Sequence, residues 1–346
     1  MLDWLMIGVL ITALASVVAR IIPVNAPSHR YAYWWLVLAA AIGFPLLPSA
    51  PVDVERVVVP MRAAVVAPVH AAIVSLPSLS PVVLWTAGLL WAAFTMTRCL
   101  GLFRSLHRIR ELTDASFELP REYVHRFRRF RAAQRGSRSV AVRVTTAFRG
   151  ACAVGYRRPS ILVSSALTER LGHDDVEAVI LHEYAHLQRY DDWACLVQAV
   201  LRATLGLHPA VWWVSRQLDI EREAACDRLV VERTQAPVAY VRALTAAADL
   251  SVSGAGAMLH LAPGLTLRAG GFQARMRRLI EAPVPSRTAA WGSALAAAAS
   301  LMLVVSLAAQ MPRLVEVGTP VAALPEVAAS STWTERCPTC GLLALN

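Results

Sequence analysis

Two histidines four residues apart, with a glutamate beside the first, stand in the stretch VILHEYAHLQRYDDW (179–193). On a helix, His182 and His186 lie one turn apart on the same face, so both imidazoles can bind one ion. Glu183 is then placed to take a proton from a water that the metal activates. This spacing predicts a hydrolytic zinc site.

A helix has to present these side chains. Residues 177–189 are good helix formers or apolar, and no helix breaker interrupts them. Asp174 and Asp175 come just before, where carboxylates cap a helix and favour its N-terminal dipole. The sequence therefore predicts a helix that carries both histidines.

A third ligand is expected from a second helical stretch, residues 211–233. Its candidates are Glu221 and Glu223, and one of the two is interpreted as a solvated surface charge. We prefer Glu223, because Asp227 follows one turn later on the same face. Asp227 is predicted to accept a hydrogen bond from the free nitrogen of a ligand histidine.

The residues between the two helices leave alternatives open. Asp191 or Asp192 either orients a ligand or caps the next helix. Residues 193–207 are apolar but too short to cross a bilayer, so they form a core helix or one that dips against the membrane face. His208 is predicted to start the following helix rather than to bind the metal.

Composition indicates a membrane protein. Of 346 residues, 56% are hydrophobic and 17% are charged, the mean hydropathy is +0.47, and all 34 basic residues are arginines. Four stretches are long and apolar enough to cross a bilayer as helices: 4–22, 31–47, 82–103 and 288–311. Residues 60–76 are interrupted by charge and proline and are interpreted as a surface-lying or loop segment.

The arginines predict the orientation. Residues 104–138 hold ten arginines against four acids, as a cytoplasmic segment beside a membrane does. The predicted organisation is three membrane helices with loops (1–103), a cytoplasmic domain (104–287), a fourth membrane helix (288–311) and a short outer tail (312–346). A nucleic-acid-binding patch is the weaker interpretation of the same charge.

A small antiparallel sheet is predicted ahead of the first metal helix. The segments VAVRVTT (140–146) and PSILVSS (159–165) have strand-like patterns, and the residues between them carry turn glycines. Residues 161–164 are predicted to be an edge strand that holds a substrate by backbone pairing.

These motifs together resemble a known family. HEYAH followed by aspartate, HPAVWWVSRQLDIEREAACD (208–227) and the upstream CAVGYRRPSILVSSAL (152–167) are similar to the BlaR/MecR-type membrane metallopeptidases, the antirepressor proteases of bacterial β-lactam signalling. The resemblance covers about residues 150–232. It implies a mainly α-helical, zincin-like fold of the gluzincin type, Zn²⁺ on His182, His186 and Glu223, and Glu183 as general base.

The resemblance also implies partners and a location. It implies a multi-pass protein of the bacterial inner membrane whose protease domain cleaves a cytoplasmic repressor, and the chain itself. We expect the lipid bilayer as a partner and no direct nucleic acid, and a homodimer stays open. The chain resembles short members of the family, because no Ser-x-x-Lys motif or penicillin-binding domain follows the last span.

Other interpretations stay open. The chain is alternatively a quality-control zinc protease of the membrane, or a non-catalytic signalling scaffold. The oxyanion donor is unassigned among Tyr190, Tyr240 and several arginines. Cys337 and Cys340, in CPTC, are either a redox or metal-sensing pair or incidental thiols of the tail.

Overall fold

Long helices dominate the computed structural model and a small mixed sheet completes it. The described residues are 2–23, 26–46, 74–76, 80–132, 138–252, 273, 275–279, 287–309 and 315–317. Cys337, Cys340 and most of residues 60–76 lie outside them. Val74–Leu76, the end of that segment, form strand β1, which pairs in parallel with Val315–Val317.

A helical bundle forms around the N-terminus of the chain. Helices α1 (Leu2–Val18) and α2 (Pro27–Gly43) pack together and against a late apolar helix, α10 (Arg287–Ala309). A 3₁₀ turn, Phe44–Leu46, follows α2. Apolar side chains of all three helices fill one core, because each helix is rich in alanine, leucine and valine.

Helix α3 (Pro81–Asp114) is much longer than the apolar stretch that predicts it. Ser80 caps it by accepting a hydrogen bond from the Val83 N–H, and Pro81 fits the first turn, which needs no donor. The helix passes through the predicted boundary at 103/104 without a break. None of its residues is buried in the described part of the chain.

A four-stranded sheet begins with strand β2 (Phe117–Glu118). A 3₁₀ turn (Arg121–Val124) and helix α4 (His125–Ala132) separate β2 from the other strands in the chain. Its other strands are β3 (Ala141–Thr145), β4 (Ala151–Val154) and β5 (Ser160–Ser164), in the order β2-β3-β5-β4.

This sheet is mixed, so the prediction of an antiparallel sheet is wrong. Strands β3 and β5 run parallel, because β4 lies between them in the chain and returns antiparallel to β5. The turn from β4 to β5 needs Gly155, whose φ is +92° and whose Cβ position lies 2.6 Å from the Arg158 carbonyl oxygen. The prediction that residues 161–164 form an edge strand is wrong as well, since β5 is flanked on both sides.

Five further helices are α5 (Ser165–Arg170), α6 (His173–Gln188), α7 (Asp191–Thr204), α8 (Pro209–Thr234) and α9 (Pro237–Val252). The described residues 275–279 are helical as well. Helix α8 belongs to two cores. Its first half contributes Val211, Val214 and Leu218 to the N-terminal bundle, and its second half contributes Cys226 and Val230 to the core around α6 and β5. The helix therefore connects the bundle with the sheet region.

Two described helices are long and apolar enough to cross a membrane, by length and composition: Pro81–Asp114 and Trp291–Ala308. Asp3–Val18 is a shorter apolar helix. These helices coincide with three of the four stretches predicted to span, and α2 coincides with the remaining one at 17 residues.

Candidate metal centre

Helix α6 presents His182 and His186 on one face, as the spacing predicts. Their rings stand 4.9 Å apart between centroids and nearly perpendicular, at 87°. Asp174 and Asp175 lie in the first turn of the helix, where their charge favours its N-terminus. His182 is buried and contacts Tyr240 of α9, and His186 is partly buried.

Glu223 of α8 faces both histidines. Its carboxylate oxygens lie 3.6 Å from Nε2 of His182 and 3.6 Å from Nε2 of His186. Zinc with tetrahedral bonds of about 2.0–2.1 Å separates its ligand atoms by about 3.3 Å. Both oxygens of Glu223 are buried and accept no hydrogen bond. Two nitrogens and a buried carboxylate that accepts no hydrogen bond thus fit a zinc ion.

Carboxylates hold the other nitrogen of each ring. Nδ1 of His182 lies 2.8 Å from the Tyr240 hydroxyl and 3.3 Å from Asp227, and that hydroxyl donates to Asp227 over 2.8 Å. Nδ1 of His186 lies 3.0 Å from Asp191. Such partners fix the tautomer that leaves Nε2 free for a metal.

The thiol of Cys226 also contacts the carboxylate that holds His186. It donates to Asp191 over 3.3 Å and lies 3.2 Å from Nδ1 of His186. These three residues form a second group that could hold an ion by distance alone. The second group shares His186 with the first group but would use Nδ1 of that ring, which already contacts Asp191. The group of His182, His186 and Glu223 is therefore the better metal centre.

Glu183 points to the edge of the sheet. Its carboxylate accepts a hydrogen bond from the backbone N–H of Ala153, at 2.8 Å, and β4 is an edge strand of the described sheet. That bond fixes the carboxylate beside the two histidines. Glu183 itself is partly buried.

Arg275 supplies positive charge to the site. Its guanidinium pairs with Asp227 through two nitrogens, Nε and Nη2, and Nη1 lies 3.0 Å from Glu223. The contact with Glu223 is an ion pair that is not aligned as a hydrogen bond, which is consistent with the free lone pairs of that carboxylate. Nη2 also lies 3.4 Å from Nε2 of His182.

Burial and these charges set the protonation of the site's own residues. Burial opposes ionisation of Glu223, but His186 and Arg275 outweigh it and hold the pKa of Glu223 well below its usual range. In the same way, Arg275 overcomes burial and lowers the pKa of Asp227 to about 2. Burial also opposes protonation of His182, yet Asp227 and Glu223 raise its pKa to about 9.

Glu183 differs from the other carboxylates. Burial raises the pKa of Glu183, and the nearby His182 and His186 offset this only in part. A carboxylate with a raised pKa is suited to accept a proton in one step and release it in the next. The pKa values of the two glutamates are therefore shifted in opposite directions: Glu223 stays charged, whereas Glu183 is suited to exchange a proton.

The structure separates the alternatives that the sequence leaves open. Glu221 faces away from the histidines and pairs with Arg30 of α2, at 2.7 Å. It is almost completely buried, so its interpretation as a solvated surface charge is wrong. Asp191 contacts His186, whereas Asp192 binds Arg138 at 3.0 Å. His208 lies at the start of α8, where its Nδ1 accepts from the Ala210 N–H, far along the helix from Glu223.

The sequence does not predict the two arginines that pair with Asp227 and Glu221, and it predicts a different role for Tyr240. Arg275 and Arg30 are remote in the chain from Asp227 and Glu221, by 48 and 191 residues, so no local spacing signals these pairs. Tyr240 is named as an oxyanion candidate, but its hydroxyl is buried and engaged on the Nδ1 side of His182.

The comparisons with known proteins point to a peptidase family. Residues 4–253 match the family model described as BlaR1 peptidase M56. The match includes α1 and α2 as well as both metal-facing helices. No curated protein matches the chain.

Proposed function

Because the chain belongs to the BlaR1 peptidase M56 family, we propose that it is a membrane-bound, zinc-dependent endopeptidase. The observation that carries the proposal is the convergence of Nε2 of His182, Nε2 of His186 and the hydrogen-bond-free carboxylate of Glu223. Zinc is the ion that suits two imidazoles and one carboxylate.

The proposed ligands and Glu183 have separate roles in catalysis. Zinc bound by this set would supply a Lewis acid that polarises the scissile carbonyl and activates water. Glu183 accepts the proton of the attacking water and delivers it to the leaving amine. Its bond to the Ala153 N–H keeps it pointing into the site. A binding scaffold has no need of a carboxylate held in this way, so Glu183 favours the enzyme.

The substrate is proposed to lie along β4. This strand is an edge of the described sheet, and the Ala153 N–H that reaches Glu183 points away from β5. An extended peptide added to this edge by backbone pairing would bring a peptide bond next to Glu183. Strand β4 thus replaces residues 161–164 as the proposed docking strand.

Membrane placement rests on the apolar helices and the charge pattern. Strand β1 precedes α3 and strand β6 (Val315–Val317) follows α10, and their pairing brings the start of α3 and the end of α10 to one side of the molecule. That arrangement agrees with α3 and α10 crossing a bilayer in opposite directions. The arginine-rich segment after residue 103 then lies in the cytoplasm of a bacterium, with the metal centre.

A transcriptional repressor is the proposed substrate. The family description supports a BlaR1-like peptidase, and a cytoplasmic site is open to cytoplasmic proteins. If a repressor is encoded beside this chain, we expect its co-expression with the wild-type protein to give a shorter repressor fragment. An intact repressor in the presence of active peptidase would instead favour a quality-control protease with other substrates.

The Glu183→Gln variant tests the peptidase. Purified wild-type protein in proteoliposomes should release fluorescent peptides from fluorescein-labelled casein, and the variant should lose at least about a hundredfold of that rate, as expected for loss of a general base. The variant should keep its zinc, because Glu183 is not among the proposed ligands. Equal rates for both proteins would refute the proposed role of Glu183.

A further inference from the structure

Helices α7 and α8 form a hairpin whose surface is the reverse of that of a water-soluble protein. Its outward side chains are large and apolar and between 40% and 58% exposed: Trp193, Val197, Val200, Leu207, Trp212, Trp213 and Ile220. Between the two helices, by contrast, Gln198, Ser215 and Arg222 are almost completely buried.

The side chains of Gln198 and Arg222 are hydrogen-bonded between the two helices. The Gln198 amide donates to the Ser215 carbonyl over 2.8 Å and to Asp219 over 2.9 Å, and Arg222 donates to Gln198 over 3.2 Å. Arg202 reaches back to Asp219 at 3.6 Å. Polar side chains that pair inside, with apolar ones outside, are typical of helices surrounded by lipid.

From this arrangement we infer that the α7–α8 hairpin is a re-entrant element, embedded to about half the depth of the bilayer from the side that carries the metal centre. The inference rests on the proposed membrane placement of α3. It adds a lipid-contacting surface to a segment that is too short to be a spanning helix.

Contacts with α3 give the depth of the hairpin tip. Trp91 donates its indole N–H to the Thr204 carbonyl over 3.2 Å, and Phe94 lies against Gly206. Trp91 is twelve residues, or about 18 Å along a helix, from Phe103, where the apolar stretch ends. A hydrocarbon core is about 30 Å thick, so the tip reaches its middle.

Two independent lengths agree with this depth. Pro209 at the tip is about 18 Å from Glu221 along α8, and Glu221 binds Arg30, which also donates to the Ala19 carbonyl at the end of α1. On α1, the His208 ring packs against Gly8, about 17 Å from Ala19. Three helices thus place the tip at the same level.

The tip satisfies its own backbone groups, as a turn in lipid must. The Trp212 indole donates to the Gly206 carbonyl, and the His208 N–H donates to the Leu205 carbonyl over 2.9 Å. At the start of α8, Pro209 has no N–H, and the Ala210 N–H donates to the His208 ring over 3.2 Å. In water, such groups need no protein partners.

Two exposed arginines are compatible with the proposed depth of the hairpin in the bilayer. Arg216 is exposed five residues from Glu221, and Arg98 is exposed five residues from Phe103. Each lies about 7.5 Å inside the proposed boundary, where a long arginine side chain can still reach the headgroups.

Spin labels on single introduced cysteines test the hairpin in the full-length protein, reconstituted in phosphatidylcholine–phosphatidylglycerol vesicles. Cys99, Cys195, Cys337 and Cys340 are changed to serine, and Cys152 and Cys226 are kept because they are buried. Labels go to Val200 and Leu207 of the hairpin, to Leu90 of α3 and to Val238 of α9. Val238 is a matched control, since it is an exposed apolar residue on the sheet side of the molecule. Collision rates with oxygen and with a water-soluble nickel chelate are measured.

We expect the labels at Val200 and Leu207 to lose nickel collisions and gain oxygen collisions, as at Leu90, with Leu207 deeper than Val200. Nickel access at Leu207 equal to that at Val238, with Leu90 protected, would overturn the hairpin inference and keep the membrane placement. Protection of Leu207 from both reagents would overturn it in favour of a protein partner. Nickel access at Leu90 would refute the membrane placement itself.

Discussion

Each ligand histidine is a two-sided residue: Nε2 faces the proposed ion and Nδ1 faces a carboxylate. The carboxylates come from different elements, Asp191 at the start of α7 and Asp227 on α8. A negative partner raises the basicity of a ligand imidazole, and losing such a partner typically costs 10–100-fold in metal affinity. Tyr240 adds a second route from His182 to Asp227.

Protonation of His182 predicts how zinc binding depends on pH. The pKa of His182 is raised to about 9 in the metal-free protein, so below that pH zinc must displace a proton. We expect the apparent zinc affinity to rise about tenfold per pH unit up to about pH 9 and then to level off. Competition with a chromogenic chelator measures it.

The Asp227→Asn variant is the control for this pH dependence. Burial lowers the pKa of His182 and Asp227 is one of the groups that raise it, so the variant should level off at lower pH. An unchanged levelling point in the variant would contradict the account of Asp227.

Much of this site follows from the sequence, and the rest depends on long-range contacts. Helical spacing alone brings His182 and His186 together, and the preference for Glu223 over Glu221 agrees with the faces that the two residues occupy in the structure. The choice between Asp191 and Asp192 requires the left-handed turn at Tyr190, whose φ of 59° directs the chain between the two helices. No residue pattern predicts that geometry for a tyrosine.

At the scale of elements, the helices are more predictable than the sheet. Runs of helix-forming residues locate α6 and α8, because a helix is stabilised by neighbours in sequence. The strands pair across the chain, and the short strand β4 lies where turn glycines dominate the pattern. Missing β4 makes β3 and β5 look like an antiparallel pair and makes β5 look like an edge.

Helices α2 and α8 share a charged contact that the sequence does not predict. Glu221 is almost completely buried, and Arg30 binds it while donating to the carbonyls of Ala19 and Ile22 at the end of α1. Glu221 is two residues before Glu223. The bundle therefore holds the helix that carries a proposed metal ligand.

Breaking this pair should destabilise the protein strongly. Arg30→Ala leaves Glu221 buried without its partner, which costs about 3–5 kcal/mol of unfolding free energy for a buried ion pair. Thermal unfolding of the detergent-solubilised protein measures it. The double variant Arg30→Ala/Glu221→Gln should recover part of the loss, because no unpaired charge remains, whereas equal melting temperatures for the single and double variants would refute the pairing.

At the scale of the whole molecule, α8 joins the two cores. Its first half packs in the N-terminal bundle and its second half carries Glu223 and Asp227. Because α8 packs in both cores, a movement of the bundle relative to the sheet region has to move α8 with it or bend α8. The family match begins at residue 4 and so spans the bundle as well as the site, in agreement with one integrated unit.

Zinc should stabilise this unit. A ligand that binds only the folded state at one hundred times its dissociation constant adds about 2.7 kcal/mol. Adding zinc to the chelator-treated protein should therefore raise its melting temperature. The same addition should leave the melting temperature of Glu223→Gln almost unchanged, and an equal rise in both proteins would mean that zinc binds elsewhere.

The proposed metal centre is tested most directly by the zinc content of purified variants, measured by inductively coupled plasma mass spectrometry. We expect about one zinc per chain in the wild-type protein, in Glu183→Gln and in Glu221→Gln, and loss of zinc in His186→Ala and Glu223→Gln. A wild-type protein without zinc after purification in zinc-containing buffer, or one that loses zinc with Glu221→Gln and keeps it with Glu223→Gln, would contradict the proposed metal centre.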